Sequence, residues 1–542
     1  MITVGYSTRS PKPEYIEHLK KTSGFKKINV IEKVNNGEKS LSQVYNEILD
    51  ESETDIVILC HDDIIFETNG WYPKILKHFE KSDYGILGVA GTTSLPKSGM
   101  WWEDKGRMVG IVNHQHEGKK WESKYCDSFG NDIRPVVIVD GLFIAIHKKR
   151  IKQRFDEKVP GFHLYDVNFS FRNFLESVPV GVICNIRLTH KSIGMVNEQW
   201  DINRKSFAQE FETNLPAKIK YNFEDRIKVL ISCLFFKTFT GSELYVYELS
   251  KELQKLNCDV TVISDIDGPL SKMAKERGIK TLSHMEPPGY KVGDGKWGFN
   301  QPDGSVEPSQ PNLFYKISDV TYDIIHTQHK PITERICTLY PNIPKVSTIH
   351  SEVISLEDPF FHESIKKFVA IRPEIKEYLE EKFDIHNVDI IYNPIDQEKF
   401  KPKQLKQENS ILFVGSIDYL RENTIRDLIE ESKKLGMTLW LVGEDKSSYL
   451  QDILKNDHVK HYKATWQVEP FIHKCNMTAG IQLGRTTIEG WMCNKPGFIY
   501  KVDSSGGILE KKLYEPPTDL EKYHASNVAK QIKQIYIDVL NS

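Results

Sequence analysis

An apolar run opens the chain at residues 2–6, and a second such opening, Ile227-Lys228-Val229-Leu230-Ile231, stands a whole domain's length further on. Both read as buried first strands, and strand–helix–strand alternation follows each of them. Continuous apolar strands alternating with amphipathic helices belong to parallel sheets that are covered on both faces, and a parallel α/β sheet is expected. The chain therefore starts folding twice. At 542 residues it also exceeds what one core supports, and roughly 150 residues per domain suggests three or four globular units.

In the first half a second strand is expected at 28–32. Ser40-Leu41-Ser42-Gln43 has the form of a capping box, with a helix continuing through Tyr45, Ile48 and Leu49. Residues 55–60 are an apolar strand that ends abruptly in His61-Asp62-Asp63. A polar stretch holding Pro216 reads as a linker over 216–226, so the first domain is 1–215. In the second half, Thr240-Gly241-Ser242-Glu243 leads from the new strand into an amphipathic helix, and a further strand is expected at 260–264. A third unit opens near Ile411-Leu412-Phe413-Val414-Gly415, which divides this half into 227–400 and 401–542. A last helix from about 520 could cross back to brace the preceding lobe. The stretch 286–311 is dense in Pro, Gly and Asn, with Tyr290 and Trp297 inside it. It reads either as a long functional loop or as a disordered insert.

Composition sets some exclusions. A net charge of -3 offers no general attraction to nucleic acid. Eight cysteines include no CxxC pair and lie mostly in apolar runs, which reads as free buried thiols in a reducing, cytoplasmic setting. The N-terminus has no basic segment followed by an apolar one, as an export signal would. The apolar run 136–146 is broken by Asp140 and falls short of the about 20 residues that span a bilayer.

His61-Asp62-Asp63 follows a buried strand, where open α/β sheets place their ligands. Two adjacent carboxylates there are costly unless a cation neutralises them. A divalent metal bridging a diphosphate would do so; a solvated turn is the plain alternative. Further on stand Asp140-Gly141, Gly161-Phe162-His163-Leu164-Tyr165-Asp166 with Arg172 behind it, and Thr189-His190-Lys191-Ser192. Together with Tyr45-Asn46-Glu47, these make residues 2–215 resemble GT-A glycosyltransferases of family 2, which mostly invert. The resemblance implies that Asp63 and His190 hold Mn²⁺ or Mg²⁺ and that Asp166 is the base for the acceptor hydroxyl. It places Thr8, Arg9, Asn35 and Asp62 around a nucleotide-sugar donor, with a UDP-sugar favoured. Two positions depart from the family: His61 stands for the first aspartate of DxD, and Asn168 where a second acidic residue often follows the base. Trp101 and Trp102 read as a stacking wall for an acceptor sugar or as core, with Asp140 beside them on the acceptor side. His163 reads as structural.

In the second half, Tyr392-Asn393-Pro394-Ile395-Asp396 precedes Phe413-Val414-Gly415, Leu441-Val442-Gly443 and Gly484-Arg485-Thr486-Thr487-Ile488-Glu489. That order resembles GT-B transferases of family 4, typically retaining, over 227–540. By that resemblance Glu489 accepts from the donor ribose, while Gly484, Arg485 and Thr486 meet the diphosphate at a helix start. Gly241 lies at a second such start, and Arg421 stands where a phosphate-binding lysine is expected. His350 would face the transferred sugar, or else be a surface loop histidine; His326 and His329 read as structural. Ile481 and Ser416 replace a glutamate and an arginine of the family pattern. The fold expected is α/β, a GT-A domain followed by a GT-B pair of Rossmann-like lobes. The activity expected is bifunctional sugar transfer to a surface glycan or lipid-linked acceptor, with no anchoring helix and with loose membrane contact left open. Its rivals are a single active GT-A site beside an acceptor-positioning GT-B half, and a non-enzymatic glycan- or nucleotide-binding scaffold.

Overall fold

The computed structural model describes residues 1–104, 107–125, 133–192, 194, 196–283, 322–445 and 451–542. Two compact units divide the chain: Met1–Lys220 forms the first, and the second opens at Tyr221 and runs to Leu540. Cys126 and the whole of 286–311, Tyr290 and Trp297 included, lie outside the described residues.

The first unit is built on a seven-stranded sheet. Its order is Ile133–Pro135, Val180–Ile183, Ile86–Gly88, Phe143–His147, Ile56–His61, Ile2–Thr8, Asn29–Val34. Ile2–Thr8 runs parallel to both of its neighbours. Phe143–His147 runs antiparallel to both of its own, so the sheet is mixed and not the wholly parallel one that the alternation suggested. The reason lies in the break at Asp140-Gly141. Ile138–Val139 on one side of it joins a second sheet through Ala90–Thr92, and Phe143–His147 on the other side returns to the first. The second sheet also holds Ile64–Phe66, Met108–His116 and Leu188–His190.

The capping box at Ser40 forms as its residues require, Ser40 accepting from the Gln43 N–H and the Gln43 side chain accepting from the Ser40 N–H. The helix Leu41–Glu51 then lays Leu41, Val44, Tyr45, Ile48 and Leu49 into the core. A Cβ at Gly5 would sit 2.3 Å from the Ile48 side chain, so the close seat of this helix on the first strand needs glycine there. The segment expected as linker is partly structured: Ala217–Lys218 pairs antiparallel with Ser94–Leu95. Ala217, Ile219 and Tyr221 are buried in alternation, the pattern of a half-buried strand. Six cysteines are free and buried, but Cys184 is disulfide-bonded, which corrects the expectation of free thiols there. It follows directly on Val180–Ile183, at the side of the sheet closed by Ile133–Pro135.

The second unit holds two doubly wound sheets. The first runs Lys280–Ser283, Cys258–Asp267, Ile227–Phe236, Ile324–Gln328, Lys345–Ile349, Ile365–Ala370, Val388–Ile390, all parallel. The second repeats the scheme around Ser410–Val414, flanked by Thr438–Val442 and Met477–Ile481, and ends in one antiparallel strand, Ile508–Tyr514. In each, the strand that comes first in sequence lies inside the sheet, and the order reverses beside it. That switch point is where open α/β sheets bind ligands.

The C-terminal helix Ala525–Asn541 returns to the first lobe. Its Tyr536 hydroxyl lies 2.6 Å from His326 Nδ1. Its buried Lys533 donates to the carbonyls of Phe223, Asp225 (3.1 Å) and Leu256 (2.6 Å). Hydrogen bonds from a charged group contribute about 1.5–3 kcal/mol each, and orphaned buried acceptors add a penalty. Lys533→Ala is therefore expected to destabilise this unit by about 3–5 kcal/mol, read as an earlier urea midpoint with the transition of the first unit unmoved.

Candidate active sites

The DxD-like turn lies where the two sheets of the first unit meet. His61 is the last residue of Ile56–His61, in the larger sheet, and Ile64–Phe66 belongs to the smaller one. Leu188–His190 pairs antiparallel with Ile64–Phe66 so that His190 stands opposite Ile64, and the Lys191 N–H closes on the Asp63 carbonyl at 3.1 Å. This register carries His190 onto the turn. His61 Nδ1 lies 3.3 Å from His190 Nε2, and Asp63 Oδ1 lies 3.4 Å from the same nitrogen. Among the described residues, His61, Asp63 and His190 form a group whose ligand atoms all fall within 4.8 Å of one another.

The electrostatics of this group are those of an acid–imidazole cluster with room for a cation. Asp63 Oδ1 is buried with no hydrogen-bond partner. Burial works against the charge of Asp63, but contacts with His190 and Ser192 and the nearby histidine charges outweigh it and hold the carboxyl well below its usual range. Burial likewise opposes charge on His190, and Asp63 reverses that and raises its pKa. His61 is pushed down by burial and by His190. Nitrogen and oxygen lone pairs thus converge on an orphaned carboxylate oxygen, a donor set that fits a divalent metal. Asp62 is held apart from the group by Lys12, whose Nζ lies 2.7 Å from its carboxylate.

Asp166 sits in the first turn of the helix Tyr165–Leu175 and accepts from the Gly141 N–H at 2.7 Å. Burial and the like charge of Asp140 push its carboxyl up to about 7. Its neighbour Tyr165 donates to the Gly141 carbonyl at 3.0 Å and lies 3.0 Å from His61 Nε2, which ties the helix that carries Asp166 to the His61–Asp63–His190 group. Asp140 accepts from the Leu142 N–H, and its charge bears on Asp166, His61 and His190 alike.

The donor-side residues take different positions. Thr8 is buried and bonds the Ser10 carbonyl, and Arg9 is exposed. Asn35 spends both polar atoms on the Lys39 backbone, closing its own loop. Residues that sequence reasoning missed stand beside them: Tyr6 and the Lys12 N–H both bond Glu32, at 2.7 and 2.8 Å. No pattern in the sequence marks these, because their contacts arise from the pairing of parallel strands. Trp101 is buried while Trp102 is 38% exposed. Trp102 meets Trp200 at 5.6 Å between ring centres, and Arg204 lies over Trp200. Of the two tryptophans only Trp102 is open, and its neighbour Trp200 comes from the helix Glu198–Glu210, which sequence spacing did not suggest. Asn203 of that helix bonds the Pro160 and His163 carbonyls, on the segment leading to Asp166.

In the second unit, Gly241 opens the helix Gly241–Lys255, is exposed, and has open space at its Cβ position. Gly484 is the N-cap of Arg485–Met492, with no side chain capping it. Arg485 lies 3.1 Å from Glu489 Oε1 and donates to the Pro394 carbonyl at 2.8 Å, so the Asn-Pro-Ile-Asp turn and the glutamate-bearing helix share one guanidinium. Burial raises the Glu489 pKa against the pull of Arg485. Arg421 pairs with Asp418 at 2.6 Å beside Gly415. Thr486 is half-buried, and Ile481, in the expected glutamate position, packs against the core of its lobe. His350 is buried, bonded to Gln328 and edge-on to Tyr245, and kept neutral by burial and the nearby His329. His326 is fully enclosed between Tyr536 and Thr348, in keeping with its structural reading. His329, just past the strand Ile324–Gln328, adopts φ 61°, contacts Glu357 and Ser242 at 3.3 Å each, and stands beside His350.

The chain resembles known proteins in two stretches. Residues 11–214 match the model described as Glycosyltransferase like family, and residues 239–399 match Glycosyltransferase Family 4. No curated protein is similar enough to count as a match. Among solved structures, HepE of Anabaena in complex with UDP and glucose is 15% identical, with a TM-score of 0.40, over 58% of this chain and 97% of its own. A glycosyltransferase from Rickettsia africae is 15% identical at a TM-score of 0.38, over 58% and 93%. A TarM variant of S. aureus in complex with fondaparinux, alpha-GlcNAc-glycerol and UDP is 11% identical at 0.36, over 58% and 96%. Two glycosyltransferase-family domains in tandem, one built on a mixed sheet with a metal-fitting turn and one on paired Rossmann-like sheets, make this chain a glycosyltransferase.

Proposed function

We propose that the chain is a bifunctional transferase, in which each unit moves a sugar from a nucleotide-sugar donor to a glycan or lipid-linked acceptor in surface polysaccharide synthesis. The observation that carries this reading is the presence of buried polar residues of donor- and acceptor-binding type in each unit: the His61, Asp63 and His190 cluster with Asp166 in the first, and the Arg485–Glu489 pair with His350 in the second. Six buried free thiols outnumber the one disulfide-bonded cysteine among the described residues, Cys184, and favour action in the cytoplasm. No helix among the described residues is long and apolar enough to cross a membrane.

In the first unit Asp63, His190 and His61 would hold a divalent ion, which when bound supplies positive charge against the departing diphosphate. Asp166 accepts the proton of the acceptor hydroxyl. The oxygen attacks the anomeric carbon from the far side, and the bond to the diphosphate breaks with its electron pair, inverting the centre. Trp102 and Trp200 offer the acceptor ring a stacking face. In the second unit Glu489, held by Arg485, accepts from the donor ribose, the Gly484–Thr486 turn meets the diphosphate, and His350 faces the transferred sugar, with retention. A second reading, one active site and a positioning GT-B half, is favoured by Ile481 packing into the core in place of a carboxylate.

The test is nucleotide release from a panel of nucleotide sugars, with Mn²⁺ and again with EDTA. One donor consumed only with metal and another regardless of it would support two sites; turnover that vanishes entirely with EDTA would favour the second reading. Glu489→Ala is expected to remove the metal-independent turnover alone, by about a hundredfold or more, the cost of a lost charge-assisted contact in a buried site. Equal loss at both sites would argue against separate activities.

A further inference from the structure

We propose that the first unit docks on an anionic lipid bilayer through a basic tip, Lys20, Lys21, Lys26 and Lys27 around the ring of Phe25, at the pole of the sheet opposite its candidate active site. This goes beyond the transferase reading and does not depend on it.

The tip is the turn between the helix Pro13–Ser23 and the strand Asn29–Val34. Ser23 Oγ accepts from the Phe25 N–H at 3.1 Å and donates to the Lys20 carbonyl at 2.9 Å. Gly24 turns the chain at φ 72°, and a Cβ there would lie 2.6 Å from the Gly70 Cα. The Gly70 N–H in turn bonds the Thr22 carbonyl at 2.8 Å. Beyond this clamp Phe25 lies flat on Tyr72, with 4.4 Å between ring centres and 6° between planes. One face of the ring is spent on that stack, and the side chain is still 47% exposed. A short, well-bonded turn therefore holds an apolar ring out in water.

The charges around the ring are of one sign. All four lysines are exposed, and no acidic residue stands between 18 and 31. Lys20 pairs with Glu17 at 2.9 Å, but Lys21, Lys26 and Lys27 form no ion pair among the described residues. Lys74 and Lys77 lie on the helix Trp71–Glu80, whose first turn supplies Tyr72, with Glu80 at its far end. The whole chain carries a net charge of -3, so this concentration of positive charge is local.

That chemistry matches a bilayer better than a nucleic acid. Anionic headgroups attract any positive charge within a Debye length, and each lysine there strengthens association about fivefold. The ring adds the apolar contact that a second anchoring signal requires. Reading of bases calls for arginine, asparagine or glutamine beside the ring, and residues 20–27 hold none. Orientation agrees. The Tyr72 hydroxyl accepts from the Ile2 N–H at 2.7 Å, so the tip stands at the start of the strand Ile2–Thr8, while His61 pairs with Ser7 near its end. At about 3.3 Å per residue the two poles are roughly 15–20 Å apart. Docking by this pole leaves the candidate active site open to solvent.

The experiment sediments the full chain with vesicles of phosphatidylcholine alone and of phosphatidylcholine with phosphatidylglycerol, at low salt and at about 0.5 M NaCl. The wild type should bind only the anionic vesicles and come off in salt. Lys21→Gln/Lys26→Gln/Lys27→Gln should weaken binding by about a hundredfold, with its urea midpoint unmoved. Phe25→Ser should weaken it by about tenfold. Phe25→Trp, which keeps a ring over Tyr72, should bind at least as tightly as the wild type, and that pair of variants separates a lost lipid contact from a lost fold. No binding to anionic vesicles, or undiminished binding by the triple variant, would overturn the proposal. So would a short DNA duplex bound as tightly as the vesicles and equally well by Phe25→Ser, which would make the tip a site for polyanions in general.

Discussion

Asp166→Asn is expected to make the protein more stable and the first activity vanish. The carboxyl of Asp166 is buried beside Asp140, and both effects push it up to about 7 from an ordinary 3.8. A carboxylate whose folded pKa lies above its unfolded value binds its proton more tightly in the native state. Between those two values the native state holds more protons, so stability falls as pH rises through the window and stays low above about pH 7. At about 1.4 kcal/mol per unit the charged form costs at most about 4 kcal/mol at pH 8. Asparagine has the same shape, still accepts from the Gly141 N–H, and carries no charge to strand. Its melting temperature should therefore exceed the wild type's at pH 8 and converge with it near pH 4. Turnover moves the other way. A base must be unprotonated, so wild-type metal-dependent turnover should climb as pH rises through about 7, and the asparagine variant should lose about 10²–10⁴-fold, the usual share of general-base catalysis. Scanning calorimetry and a pH–rate profile read the two signs independently. A variant less stable at pH 8, or one that keeps the profile, would remove Asp166 from the role of base.

Asp63→Ala should be the most damaging change to the first site. Asp63 alone supplies a carboxylate to the His61–Asp63–His190 group, and its Oδ1 is the buried atom that lacks a hydrogen-bond partner. Removing it leaves two neutral-leaning imidazoles 3.3 Å apart with no anionic ligand. Metal affinity and charge stabilisation of the leaving group fall together, which is worth several kcal/mol, or about a thousandfold or more in rate. Metal-independent turnover by the second unit should persist unchanged, since Glu489 and Arg485 lie in a separately folded unit. Isothermal titration with Mn²⁺ and the two donor assays together check this. Full Mn²⁺ binding by the variant would relocate the metal site.

Local chemistry was legible in the sequence wherever short range decided it. The Ser40 capping box, the apolar strands at 2–6, 56–60 and 227–231, the glycine turns before helices, and the restart of the fold all depend on neighbours within a few residues. The carboxylate turn after a buried strand was legible for the same reason, because the cost of clustered charge is a property of the residues themselves.

Only the tertiary structure decided which distant groups meet. His190 reaches Asp63 because Leu188–His190 pairs with Ile64–Phe66 in one register and no other, and a shift of one residue would turn its side chain to the opposite face. Tyr165 comes to His61 Nε2, Trp200 joins Trp102, and Lys12 pairs with Asp62 beside the His61–Asp63–His190 group. None of these leaves a trace in spacing, because each is a contact between elements whose separation in sequence says nothing of their separation in space. The antiparallel turn of Phe143–His147 was hidden in the same way: an apolar run declares that a strand is buried, but its direction depends on where the chain has to return.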